Sequence, residues 1–163
     1  MYTQIMIAVD GSPESLEAVR QALALVARGL RAEIALVNVQ EAASLLELAT
    51  HDSDAIAAAA VAAGEHLMAE GAALLDAAGV GYSMEVVLGE PGNALVDLAE
   101  QINADMVMLG ARGMGAVESV LVGSVSKAVL HRCSKPVLIV RVPEETEIPL
   151  EDADAADAEP EAA

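Results

Sequence analysis

The chain has no tryptophan, no phenylalanine and only two tyrosines among its 163 residues, so its core cannot rest on aromatic packing. Hydrophobic residues still make up 55%, which leaves Val, Leu, Ile, Met and Ala to fill an aliphatic interior. The one cysteine, Cys133, excludes an internal disulfide and fits a reducing compartment, where it reads as a small buried apolar residue. Lysine is nearly as scarce, at Lys127 and Lys135. Eight bases against 26 acids give a net charge of −18, which argues against nucleic acid or an anionic membrane as partner. Both would need clustered Lys and Arg. No apolar run approaches the roughly 20 residues that span a bilayer, and no basic region or signal core precedes the first strand-like run. A cytoplasmic protein is expected.

What is present is enough for one domain with a proper core. Five strand-like runs alternate with four helical patterns. The strands are read at residues 4–9, 33–39, 83–88, 105–109 and 136–140. After the first, Ser12 suits an N-cap and Pro13 a first helical position, and Gly29 closes that helix. Residues 41–50 read ambiguously, as a short helix at most. A long alanine-rich helix begins at Ser53 or Asp54 and is stopped by Gly79. A turn at Gly89-Glu90-Pro91-Gly92 leads to a helix marked by Leu95, Leu98, Ala99 and Ile102, and another helix runs from Gly123 to about Arg132. Strands one, two, four and five are nearly continuous apolar runs, as expected of strands buried on both faces. That pattern predicts a doubly wound α/β domain, a five-stranded parallel sheet between two layers of helices, over residues 1–142. Residues 143–163 turn abruptly to Glu, Asp, Ala and Pro, and read as a disordered acidic tail. Nine acids and no base follow Arg141, so the body carries eight bases against seventeen acids, or −9.

In such a sheet, ligands bind beyond the C-terminal ends of the strands, where the strand order reverses. Asp10, Asn38-Val39 and the segment from Gly110 to Gly113 all fall at strand ends. The last of these opens the spacing Gly110-x-x-Gly113, nine residues, Gly123-Ser124. An apolar strand, a glycine loop and a helix start can hold phosphate, because glycine lets backbone N–H groups approach an anion and the first helical turn adds its own. A Walker loop is excluded, since Ala116 and Val117 follow Gly115 where Lys and Ser or Thr are needed. A dinucleotide fingerprint is excluded too, because Asp10-Gly11-Ser12 follows the first strand. His51, His66 and His131 share no metal-ligand spacing, and Asp97, Glu100 and Asp105 read as solvated carboxylates. No Ser-His-Asp or Cys-His arrangement emerges.

With these residues in place, the chain resembles the universal stress protein family in its nucleotide-binding form. That family's motif is Gly-x2-Gly-x9-Gly-Ser/Thr, and Gly110, Gly113, Gly123 and Ser124 match it. The segments IMIAVDGS, ADMVMLGARG, LVGSVSKAVLHRC and KPVLIVR resemble family blocks in order and spacing. The resemblance implies strand order 3-2-1-4-5 and an adenine nucleotide at the switch point. It implies Asp10 facing the ribose or a phosphate-bound magnesium, and the backbone of Val39 against adenine. Backbone amides at Gly110, Arg112, Gly113, Gly123, Ser124 and Val125 would hold phosphates, with the Ser124 and Ser126 hydroxyls as further donors. Members often carry a base between Met114 and Val122, where this chain has Glu118-Ser119, so AMP or cyclic AMP stays open beside ATP and Mg2+. The family also implies a homodimer through strand five, Pro136 to Val140. The expected role is a dimeric, nucleotide-binding stress or signalling module. A slow ATPase or autokinase, and a non-binding interaction protein of the same fold, are the alternatives.

Overall fold

The computed structural model describes residues 3–41, 52–113 and 122–142. The reading of 41–50 as a short helix lies outside them beyond Glu41, and so do His51, Glu118-Ser119 and the acidic tail. The described elements are β1 (Thr3–Ala8), α1 (Pro13–Ala27), β2 (Ala32–Gln40), α2 (Ser53–Ala77), β3 (Tyr82–Leu88), α3 (Pro91–Gln101), β4 (Met106–Gly110), α4 (Ser124–Arg132) and β5 (Val137–Val140). They form one sheet in the order β3-β2-β1-β4-β5, every pair parallel. The chain winds outward from β1 to β3, then returns to the other side of β1 for β4 and β5. The order therefore reverses between β1 and β4.

Alternation along the strands divides the core in two. Ile5, Ile7, Val9, Ile34 and Leu36 face one side, where Val19 of α1 and Met68 and Leu75 of α2 cover them. Met6, Ala35, Val37, Val107 and Leu109 face the other, against Leu95 and Leu98 of α3 and Val129 of α4. Each such aliphatic side chain contributes about 1.5–3 kcal/mol on full burial, so two dry layers of Ile, Leu, Val and Met replace the missing aromatics. This is the three-layer α/β arrangement expected from the sequence. One expectation needs correcting: β5 is not buried on both faces. Its Leu138 is 40% exposed while Val140 is 6%, because β5 stands at the sheet edge with only β4 beside it among the described residues.

Two boundaries also move, each for a physical reason. The fourth strand extends through Gly110, which pairs with Val140. The expected turn at residues 89–92 is instead the start of α3, with Glu90 as its N-cap and Pro91 in its first turn. The Glu90 carboxylate accepts from the N–H groups of Asn93 (2.8 Å) and Gly92 (3.1 Å). These bonds, Asn93's first, hold its pKa below the ordinary carboxylate value despite some desolvation, and Arg132 adds to the effect. A folded pKa below the unfolded one gives stability that is complete above the unfolded value and lost as pH falls through the folded value. Glu90→Ala is therefore expected to melt below the parent at neutral pH, with the gap closing on acidification through the carboxylate range. Thermal melts across that range check this, and a gap that stayed constant would contradict it.

Candidate functional site

Asp10 stands two residues past the end of β1, where the chain turns into α1. Its Oδ1 accepts from the N–H of Ser12 (3.0 Å), and its own N–H donates to Ser15 Oγ (3.4 Å). Ser12 in turn caps α1, its Oγ accepting from Ser15 N–H at 3.2 Å, as the sequence predicts. The aspartate is thereby fixed to the helix start. Beside it, buried Asn38 donates from Nδ2 to Val9 O (2.7 Å) and accepts from Gln40 Nε2 (2.7 Å), tying the ends of β1 and β2 together.

The backbone of Val39 opens toward this crevice. In a strand, successive residues present their N–H and C=O groups to alternate neighbours. Val9 N–H donates to Val37 O (2.8 Å), so Val37, and by alternation Val39, faces the β1 side. Gly89 N–H donates to Gln40 O, which places Gln40, and by alternation Asn38, on the β3 side. Because β1 ends at Ala8, the peptide groups of Val39 look past it into the cleft. A planar base with one donor and one acceptor on its edge could be met there without any side chain.

The opposite wall comes from the β4–α4 connection. Ala111 N–H donates to Val140 O and Gly123 N–H to Ala111 O, both at 2.7 Å. The loop is thus clamped to the start of α4 on either side of the undescribed segment. Gly123 is the N-cap of α4 and supplies no side-chain acceptor. The N–H groups of Ser124, Val125 and Ser126 begin a helix, so they lack intrahelical partners and form its positive end. That end, Gly113 and Asp10 border one cleft of about 1010 Å3, the size of a small-molecule site.

All nine residues expected at the site, Asp10, Val39, Gly110, Arg112, Gly113, Gly123, Ser124, Val125 and Ser126, line this cleft. Three of them also have a role within the protein itself. The Ser126 hydroxyl is buried and donates to Gly110 O (2.8 Å), so its hydrogen is already engaged within the protein. A Cβ on Gly110 would lie 2.6 Å from Glu14 Cβ, so this glycine serves the close approach of β4 to α1. The Arg112 guanidinium bonds Glu14 Oε1 through Nε (3.2 Å) and Nη2 (3.1 Å), pinning the loop to the first turn of α1. Gly113 and Gly123 stand at the cleft on either side of the undescribed segment. A Cβ on Gly113 would meet Asp10 Oδ2 at 2.6 Å, so glycine there leaves room for the carboxylate. At Gly123 the described residues would accept a Cβ, the nearest of their atoms being Ala111 O at 3.5 Å.

Sequence reading missed part of the lining. Pro91 and Leu95 of α3 form an apolar wall, while Ser15, Gln40, Glu41 and Lys127 add polar groups. Gln40 and Glu41 were findable, since they extend the strand end already marked at Asn38-Val39. Pro91 and Leu95 carry no such signal, because they were legible only as helix start and helix core. Among the described residues no group of three or more His, Cys, Asp and Glu could hold a metal unaided, and no helix is long and apolar enough to cross a membrane.

Comparison with known proteins agrees with this geometry. The model of the universal stress protein family matches residues 1–141. A universal stress protein of Methanocaldococcus jannaschii is 30% identical over 144 residues, covering 88% of this chain and 84% of its own length. A universal stress protein solved in complex with cAMP has TM-score 0.59 and 27% identity, over 85% of this chain and 95% of that one. An Arabidopsis thaliana member with AMP bound has TM-score 0.62 and 21% identity, over 93% and 99%. Strand order and family match coincide over the same residues, and the chain belongs to the universal stress protein family.

Proposed function

We propose that the cleft at the β1–β4 switch point binds an adenine nucleotide, ATP with Mg2+ before AMP or cyclic AMP, and that the chain acts as a homodimeric stress or signalling module. The observation that carries this is Gly123. It caps α4 with an ordinary backbone (φ −68, ψ 167) and has space for a side chain among the described residues, so neither backbone strain nor a clash with those residues requires glycine. An anion seated on the first turn of α4 would require it, because a Cβ would stand between the N–H groups and the anion. Relatives of this fold bound to cAMP and to AMP support adenine as the base, with the backbone of Val39 to meet it. The amides of Gly113, Ser124 and Val125 would receive the phosphates, and Ser124, exposed at the cleft, would add its hydroxyl.

Asp10 fits a magnesium role. A carboxylate beside phosphates is repulsive unless a cation lies between them, and Mg2+ typically takes one or two carboxylates together with phosphate oxygens and water. Asp10 is such a carboxylate, next to Gly113 in the cradle. Titration calorimetry with and without magnesium tests the reading. Asp10→Asn should weaken ATP binding about tenfold when Mg2+ is present and should not weaken it when Mg2+ is removed. Equal affinities for the two proteins under both conditions would contradict it.

The homodimer reading rests on β5. Its outer edge has no neighbouring strand among the described residues, and Leu138 is 40% exposed on a face beside that edge. A short apolar edge invites pairing with another strand, and a two-fold axis through β5 would close the assembly. Light scattering at micromolar concentration is expected to give a dimer mass that falls toward the monomer in Leu138→Lys. A monomeric parent, or a dimer indifferent to that change, would contradict this arrangement.

A further inference from the structure

We propose that Lys127 makes the cleft prefer a nucleotide polyphosphate over a monophosphate. This rests on the nucleotide reading above and concerns what sets its selectivity.

The charge around the cleft is sparse for a polyphosphate. Among the described residues two carboxylates, Asp10 and Glu41, and two cations, Arg112 and Lys127, line it. Arg112 is held from behind by Glu14, which takes both Nε and Nη2 in a largely buried pair with side-chain exposures of 23% and 12%. That pair positions the loop bearing Gly113, and its positive charge is matched by an adjacent carboxylate. A monophosphate needs little more than the helix N-terminus and the amide of Gly113. Each further phosphate adds negative charge beyond those donors, in a protein that is already strongly acidic.

Lys127 is placed to meet that charge. It is the fourth residue of α4, and its N–H makes the bond that closes the first turn, to Gly123 O at 3.0 Å. Side chains on a helix lean toward its N-terminus and cover the preceding turn. From that position the Lys127 stem can run back over Ser124 and Gly123, where the phosphates would sit. The residue is exposed and its stem is flexible, so its ammonium can follow a phosphate chain of variable length. The ion pairs among the described residues are Arg20–Glu17 and Arg112–Glu14, and Lys127 takes part in neither. Among the described residues no ion pair has to break for it to engage a ligand.

The test compares ATP and AMP in the parent, Lys127→Met and Lys127→Arg by titration calorimetry at two ionic strengths. Lys127→Met should weaken ATP about five- to tenfold, the effect of one partly screened charge contact, while AMP changes by less than about twofold. Lys127→Arg should restore ATP binding, since it keeps the charge. The loss of ATP affinity with added salt should be shallower in Lys127→Met, because screening acts on the removed contact. Equal weakening of ATP and AMP would mean that Lys127 only shapes the helix, and no weakening of ATP would mean that it stays in solvent. Either result overturns the proposal while leaving the nucleotide site standing. A parent chain that binds neither ATP nor AMP would overturn the cleft reading itself, and this proposal with it.

Discussion

Gly123→Val is expected to fold normally and to lose nucleotide binding by at least about 100-fold, or about 2.7 kcal/mol. The backbone at Gly123 is in the extended region at φ −68 and ψ 167, which valine adopts without strain. Among the described residues the nearest atoms to a new Cβ are Ala111 O (3.5 Å), Arg112 Cα (3.7 Å) and Gly113 N (3.9 Å), all ordinary contacts. The added group would nonetheless stand between the first turn of α4 and the amide of Gly113, the gap an anion would fill from both sides. Valine is a poorer N-cap than glycine, at a cost of about 1 kcal/mol, so the unliganded melting temperature should drop by only about 2–4 °C. Melts with and without ATP and magnesium separate the effects. The parent should be stabilised by ligand through mass action, and the variant should not. A variant stabilised as much as the parent would return Gly123 to the role of a loop residue.

Gly110→Ala is expected to do the reverse, damaging the fold before the site. Its Cβ would lie 2.6 Å from Glu14 Cβ, 2.9 Å from Glu14 C and 3.0 Å from Ser15 N. Two of those atoms are backbone in the first turn of α1, which the Ser12 cap and the Arg112–Glu14 pair hold in place. No side-chain rotation relieves the clash, so α1 must shift against β4. Overpacking of this kind costs about 1–3 kcal/mol, which lowers the melting temperature by about 2–12 °C in a domain of this size. Thermal unfolding followed by circular dichroism measures it directly. An unchanged melting temperature would show that α1 moves freely against the sheet, and would remove the packing role assigned to Gly110. Two glycines of one motif thus have opposite expected phenotypes.

That contrast marks how far the sequence could be read. The buried strands were legible because β1, β2 and β4 are apolar runs with almost no polar interruption, and their helices carry clear start and stop signals at Ser12, Pro13, Gly29 and Gly79. The strand order came through the family resemblance, since no local pattern states which parallel strand lies next to which. The site was legible as a spacing of glycines after β4, but the separate reasons for those glycines were not. Glu14, 96 residues before Gly110 in the chain, decides one of them, and Asp10 decides another. The cap of α3 was missed because glutamate is not among the preferred N-cap residues, and Glu90 reaches Gly92 and Asn93 only through its longer side chain. The Ser126 hydroxyl looked like a phosphate donor by position, whereas its partner, Gly110 O, becomes visible only once β4 and α4 are packed together.

The central claim is that one nucleotide sits between the β2 end, the Asp10 turn and the start of α4. Backbone-amide NMR of the full chain during titration with ATP and magnesium tests it most directly. A single saturable event is expected, with the largest shifts at Asp10, Val39, Gly113, Ser124 and Val125 and small ones along β3 and the far half of α2. No saturable change at millimolar ATP, or changes centred away from those residues, would contradict it.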